Sequence, residues 1–111
     1  MKATDEREEL HLDDLTFEGN LAFAGRPLGE QARRRANLDA KDHDDAAYAV
    51  EIPVGTVSFT LSFFLGMFDE SVLTLGAEKF RKKYKFVGEP YDRIVEQGIG
   101  EALVRGPVSA T

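Results

Sequence analysis

The stretch Ala47–Gly88, AYAVEIPVGTVSFTLSFFLGMFDESVLTLGAEKFRKKYKFVG, decides the fold. It opens with period-two alternation. Tyr48, Val50, Ile52 and Val54 fall on one side of an extended segment and Glu51 on the other. Pro53 has no N–H to give a ladder, so it belongs near the strand end or on a free edge. From Leu61 to Leu75 the periodicity becomes helical, with Leu61, Phe64, Leu65, Phe68, Val72 and Leu75 in one broad stripe. Gly76 suits the helix stop. A basic connector then leads into a second short strand, Tyr84–Val87. Strands separated by a helix imply parallel neighbours joined by a right-handed crossover.

Upstream, residues 1–13 read as a polar segment outside the domain, while LTFEGNLAF (15–23) alternates on both sides of Gly19–Asn20. That pattern predicts a hairpin with a type II′ turn. Pro27 fits the first position of a helix, and LGEQARRRANL continues it with a thin stripe of Leu28, Ala32 and Ala36. LDAKDHDDAA reads as an acidic loop. Downstream, Gly88 and Pro90 introduce a last helix bearing Tyr91, Ile94, Val95, Gly98, Ile99 and Ala102 at helical spacing, and Gly106–Pro107 ends it. The expectation is an α/β domain over residues 14–105 with a short tail at 106–111. Its mixed sheet has about four strands, an N-terminal hairpin plus parallel strands, covered on one face by about three helices.

With 111 residues, 42% of them hydrophobic, the chain supports one compact core. Cysteine is absent, which excludes disulfides, thiolate metal sites and a cysteine nucleophile. No apolar run approaches the ~20 residues of a spanning helix, and the acidic start lacks a signal-peptide layout, so a cytoplasmic location without membrane contact is expected. The net charge of −6 argues against nucleic acid as a partner. Residues 1–50 hold 12 acids against 7 bases, and residues 51–111 hold 8 against 7. The bases gather in Arg33–Arg35 and in Lys79, Arg81, Lys82, Lys83 and Lys85.

Three hydroxyls, Ser58, Thr60 and Ser62, collect at the strand-to-helix junction, where free N–H groups favour an anion. They read either as N-caps or, at Ser62, as a phosphate acceptor stabilised by the helix start and repelled by Asp69 and Glu70. With the main stripe turned inward, Ser62, Gly66, Asp69 and Glu70 point outward. Phe63 and Met67, one turn apart, then form a docking patch or lie beneath a neighbouring helix. Tyr84 and Phe86 in FRKKYKF read as core residues beneath a solvated basic rim rather than as base-stacking platforms. Asp39, Asp42, His43, Asp44 and Asp45 lack the alternating oxygens, central glycine and distant glutamate of a calcium loop, so no metal is expected. His11 stands alone in a polar stretch. No nucleophile elbow or phosphate-binding glycine loop occurs, and Glu51 with Ser62 is the one acid–hydroxyl pairing to consider. Neither an enzyme nor a cofactor is expected.

Val50-Glu51-Ile52, Ser62-Phe63 and Gly76-Ala77-Glu78-Lys79-Phe80, with the Tyr84–Val87 strand and the helix entry Gly25-Arg26-Pro27-Leu28-Gly29, resemble a STAS-like family of unknown function. This family is related to the STAS domains of bacterial anti-sigma-factor antagonists, and the resemblance spans residues 15–103 or so. It implies a non-catalytic, cytoplasmic, bacterial regulatory domain that binds a kinase-like or ATPase partner. In such antagonists the helix after the third strand starts with a Ser or Thr that the partner phosphorylates. Ser62 is the closest counterpart and Thr60 the next, although Leu61 stands where those antagonists usually carry an acid. The implied partner contact covers 58–67, with Phe63, Gly66, Met67, Asp69 and Glu70 facing it. An alternative is a small-molecule or nucleotide sensor that takes an anion at the same helix start, with Arg33–Arg35 or Lys79–Lys85 nearby. A third is self-association through a strand edge or helix face.

Overall fold

The computed structural model describes residues 7–17, 19–88 and 91–105 of the chain. Their order is β1 (Glu8–His11), a 3-10 turn (Leu12–Leu15), β2 (Ala22–Phe23), α1 (Arg26–Ala36), α2 (Leu38–Lys41), β3 (Tyr48–Glu51), β4 (Ser58–Phe59), α3 (Leu61–Leu75), α4 (Ala77–Lys83), β5 (Tyr84–Val87) and α5 (Asp92–Arg105). The fold is α/β. One sheet has the order β1-β3-β5 and a second pairs β2 with β4, and every pairing is parallel. Tyr48, Val50 and Ile52 face the core, as their alternation requires. No helix among the described residues is long and apolar enough to cross a membrane.

The expected hairpin over 15–23 is not there. Glu8–His11, read as part of the polar leading segment, pairs with β3 instead, and Ala22–Phe23 pairs with β4 thirty-six residues downstream. Asn20 is buried rather than at a turn tip. Its amide donates to Thr16 Oγ1 at 3.1 Å, and its Oδ1 accepts from the Ala22 N–H at 2.9 Å. The Asn20 N–H also closes a turn onto the Phe17 carbonyl at 3.0 Å, with Gly19 at φ +77°, but the strands on its two sides belong to different sheets and do not pair with each other. Val54 also departs from its expected core face. The strand stops at Glu51, and a tight turn follows, closed by the Thr56 N–H donating to the Pro53 carbonyl at 3.2 Å. Gly55 at φ +92° supplies the positive φ that the third position of such a turn needs, and Val54 is left 99% exposed. The acidic loop holds the short helix α2, and the basic connector is the two-turn helix α4.

Helix α3 occupies the span the sequence predicts, capped by Thr60, and α1 and α5 flank it. A Cβ at Gly29 would lie 2.2 Å from the Phe63 carbonyl oxygen, and one at Gly66 would lie 2.3 Å from the Arg26 carbonyl oxygen. The two helix backbones are therefore in direct contact, which only glycine at both places allows. Phe63 and Met67 are fully buried beneath α1, and Gly66 is buried with them. The outward docking patch expected at these positions is thus interior, because α3 is covered on more sides than its main stripe suggests. Gly66→Ala is expected to destabilise the domain by roughly 1–3 kcal/mol in chemical denaturation. Gly100→Ala, where an added Cβ meets open space, serves as the neutral or stabilising control.

Candidate functional site

The strand-to-helix junction is built where β2 and β4 lie side by side and each runs into a helix. Thr60 is extended (φ −96°, ψ 158°), and its Oγ1 accepts from the Phe63 N–H and the Gly25 N–H, each at 3.2 Å. One hydroxyl thus caps α3 and ties it to the entry of α1, which makes Thr60 a structural cap. Ser58 is half-buried in β4, opposite Ala22. Ser62, at the second helical position, is exposed and makes no side-chain hydrogen bond to any described residue. Asp69 is held by Arg26 at 3.0 Å, and Glu70 is exposed.

Apolar exposure lies close by. Val57 is 76% exposed and Leu21 38% exposed, and they join where the Val57 N–H donates to the Leu21 carbonyl at 2.8 Å. Val54, 99% exposed, sits in the same turn, whose Gly55 lies beside the Leu21 side chain. Tyr91 braces the turn from behind. Its hydroxyl donates to the Thr56 carbonyl at 3.2 Å, and its ring meets Phe59 edge-on at 5.4 Å. The Pro-Val-Gly-Thr turn signature was the sequence signal for this ridge, and the junction's cation, Arg26, sits in the Gly-Arg-Pro helix entry.

The structure does not bring the other candidate cations to this junction. The Arg33 side chain, 11% exposed, donates to the Met67 carbonyl and to Ser71 Oγ at 2.9 Å each, and pairs with Asp42 at 2.9 Å and Asp39 at 2.8 Å. Burial opposes its charge, and the hydrogen bonds to Asp42 and Asp39 more than offset that, so its pKa rises. Arg35 donates to the Thr16 carbonyl, and Lys83 is bound to Asp44 and the Ala46 carbonyl, beside the start of β3. Glu51 and Ser62 share no hydrogen bond. His11 does find a partner in Glu9, at 3.0 Å, and that bond is the main cause raising its pKa.

The acidic stretch separates into distinct roles. Asp42 turns inward. Its carboxylate accepts from Arg33, from Ser71 Oγ at 2.7 Å and from the Tyr84 hydroxyl at 2.7 Å, tying together α1, α3 and β5. Burial, followed by the bond to Asp42, pushes the Tyr84 phenol above its ordinary pKa and keeps it a donor. Asp44 accepts from Lys83 Nζ at 2.7 Å, from the Tyr48 hydroxyl and from the Ala46 N–H. Among the described residues no group of three or more His, Cys, Asp or Glu could hold a metal. Comparison with protein-family models, with curated proteins and with solved structures gives no match.

Two outcomes follow. Removing one member of the buried pair, as in Arg33→Met, is expected to cost about 3–5 kcal/mol in urea denaturation. Arg33→Met with Asp42→Leu should cost clearly less than the two single losses added together. Lys83, then Tyr48, holds the Asp44 carboxyl down at about 2. Its stabilising share is therefore complete above the ordinary carboxylate pKa and is lost as pH falls through about 2. Carboxyl NMR should place the Asp44 midpoint there, and Lys83→Met should move it upward.

Proposed function

We propose that this chain is a non-catalytic regulatory domain that binds another protein where β4 meets α3, as in the anti-sigma-factor antagonists it resembles. The supporting observation is the exposed ridge of Val54, Val57 and Leu21 beside an exposed, unbonded Ser62 at a helix start. Val57 and Ser62 are five residues apart, at most ~17 Å of chain, so one ordinary footprint of ~800 Å² per partner covers both. Grouped apolar exposure supports a contact surface here.

The partner is of the kinase-like or ATPase regulator class, and Ser62 is its phosphoacceptor. A phosphoryl group there gains from the α3 N-terminus but sets a charge of about −2 against the apolar contact, which releases the partner. Glu70 and the Arg26–Asp69 pair form the polar rim of this contact. Phe63, Gly66 and Met67 support it from beneath α1 and do not touch the partner. The anion-sensor reading rests on the adjacent starts of α1 and α3. It is the weaker one because Arg33 and Lys83 are bound elsewhere.

Pull-down with the full chain from its native host should recover one stoichiometric partner. Ser62→Asp and Val57→Glu should each weaken that complex at least about tenfold while leaving the melting temperature unchanged. Undiminished binding by both variants refutes the reading. A melting temperature that climbs with phosphate concentration in the wild type, and not in Ser62→Asp, favours the sensor instead.

A further inference from the structure

Arg26 stands between two positions on α3. A Cβ at Gly66 would lie 3.0 Å from the Arg26 Cα, so the arginine starts directly above Gly66. From there its guanidinium reaches the Asp69 carboxylate, at 3.0 Å between Nη1 and Oδ2. Asp69 is three residues after Gly66 and Ser62 is four before it, which puts all three on one face of the helix. Side chains at these spacings lie about 5–6 Å apart between Cβ atoms, so the reach that Arg26 uses for Asp69 also serves for Ser62. Ser62 is exposed, and just before it the Gly25 N–H holds the α1 entry against Thr60 Oγ1.

The strengths of the two pairings decide which one wins once Ser62 is modified. The Arg26 and Asp69 side chains are 35% and 28% exposed, and an ion pair with that much water about it holds weakly. A phosphoserine carries about −2 and three strong acceptor oxygens. A guanidinium grips such an oxyanion through two parallel N–H donors. Glu70, the next acid along α3, lies 3.5 Å from Arg33 and does not hold Arg26.

We propose that phosphorylation of Ser62 moves Arg26 from Asp69 to the phosphate, so that one arginine reads the modification and bares a second acid on the rim. This rests on the reading of Ser62 as the phosphoacceptor. The γ-phosphoryl group of a nucleoside triphosphate held by the kinase-like partner forms the new P–O bond at Ser62 Oγ. Its bond to the nucleoside diphosphate breaks, and the hydroxyl proton passes to water. Arg26 then offsets part of the new charge, while Asp69 is left as an unpaired carboxylate two turns further along α3. The partner thus meets negative charge at two points of the rim rather than one.

Phosphoserine built into the full chain at position 62 tests this without any partner. Phosphorus NMR should place its second midpoint below the ordinary value of about 6. Arg26→Gln should raise that midpoint by about one unit, and Arg26→Lys, which keeps the charge but lacks the fork, by less. Asp69→Asn should lower it further because the competitor is gone, and this variant decides the matter if Arg26→Gln does not fold. At neutral pH the Asp69 carboxyl carbon of the phosphorylated chain should take the chemical shift it has in unphosphorylated Arg26→Gln. A phosphate midpoint that the Arg26 and Asp69 variants leave unmoved, or an Asp69 signal that ignores the phosphate, overturns the exchange and leaves the partner contact standing. A pull-down that recovers no partner removes that contact and not the exchange, which the midpoints decide.

Discussion

Helices α1 and α3 meet backbone against backbone through Gly29 and Gly66. Much of the rest follows from it. At this distance α1 seals Phe63 and Met67, which removes them from any surface. It also sets the starts of the two helices side by side, so that a single hydroxyl, Thr60, accepts from both. Among the exposed features at that end are Ser62 and the turn before β4. The binding rim is thus defined by exclusion: whatever α1 covers cannot dock, and what escapes it is the hydroxyl and the valines.

The same helix pair is clamped again further along by a polar device. Arg33 crosses from α1 to the Met67 carbonyl and Ser71 of α3, and Asp42 closes the circuit to Tyr84 of β5. A buried charge is expensive unless its partners are complete. Here they are: among the described residues no buried side-chain nitrogen or oxygen lacks a hydrogen bond. An apolar replacement of similar shape could match its stability. What the network adds is direction, since its donors and acceptors fit only one angle between α1, α3 and β5. The glycine contact sets how near the helices come, and the Asp42 network sets how they are turned.

Legibility from sequence followed the range of the forces involved. Helix α3 was readable end to end, because periodicity, a capping threonine and a terminal glycine are local signals. So was β5. The hairpin failed because Gly19–Asn20 encodes only a local turn, while the pairing partners of β1 and β2 are parallel strands far downstream. The face of α3 was misjudged for a related reason. The apolar face of α3 is wider than one stripe, and the stripe alone left open whether Phe63 and Met67 form a docking patch or lie beneath a neighbouring helix; the second is what the structure has. Asp42 could not be told from Asp39, Asp44 and Asp45, since a one-dimensional acidic run carries no sign of which member turns inward. Val54 continued the period-two pattern of its strand, yet Pro53 and Gly55 on either side of it encode a turn.

The start of α5 joins the turn before β4 to the groove that Tyr84, Phe86 and Val95 line beside β5. Tyr91 holds the turn that presents Val54 and Val57, through the Thr56 carbonyl and the Phe59 ring. The next residue, Asp92, borders the β5 groove. Any shift in the first turn of α5 is felt at both places. Two turns further along the same helix, Gly98 lies against the Phe64 ring and limits how far α5 can slide.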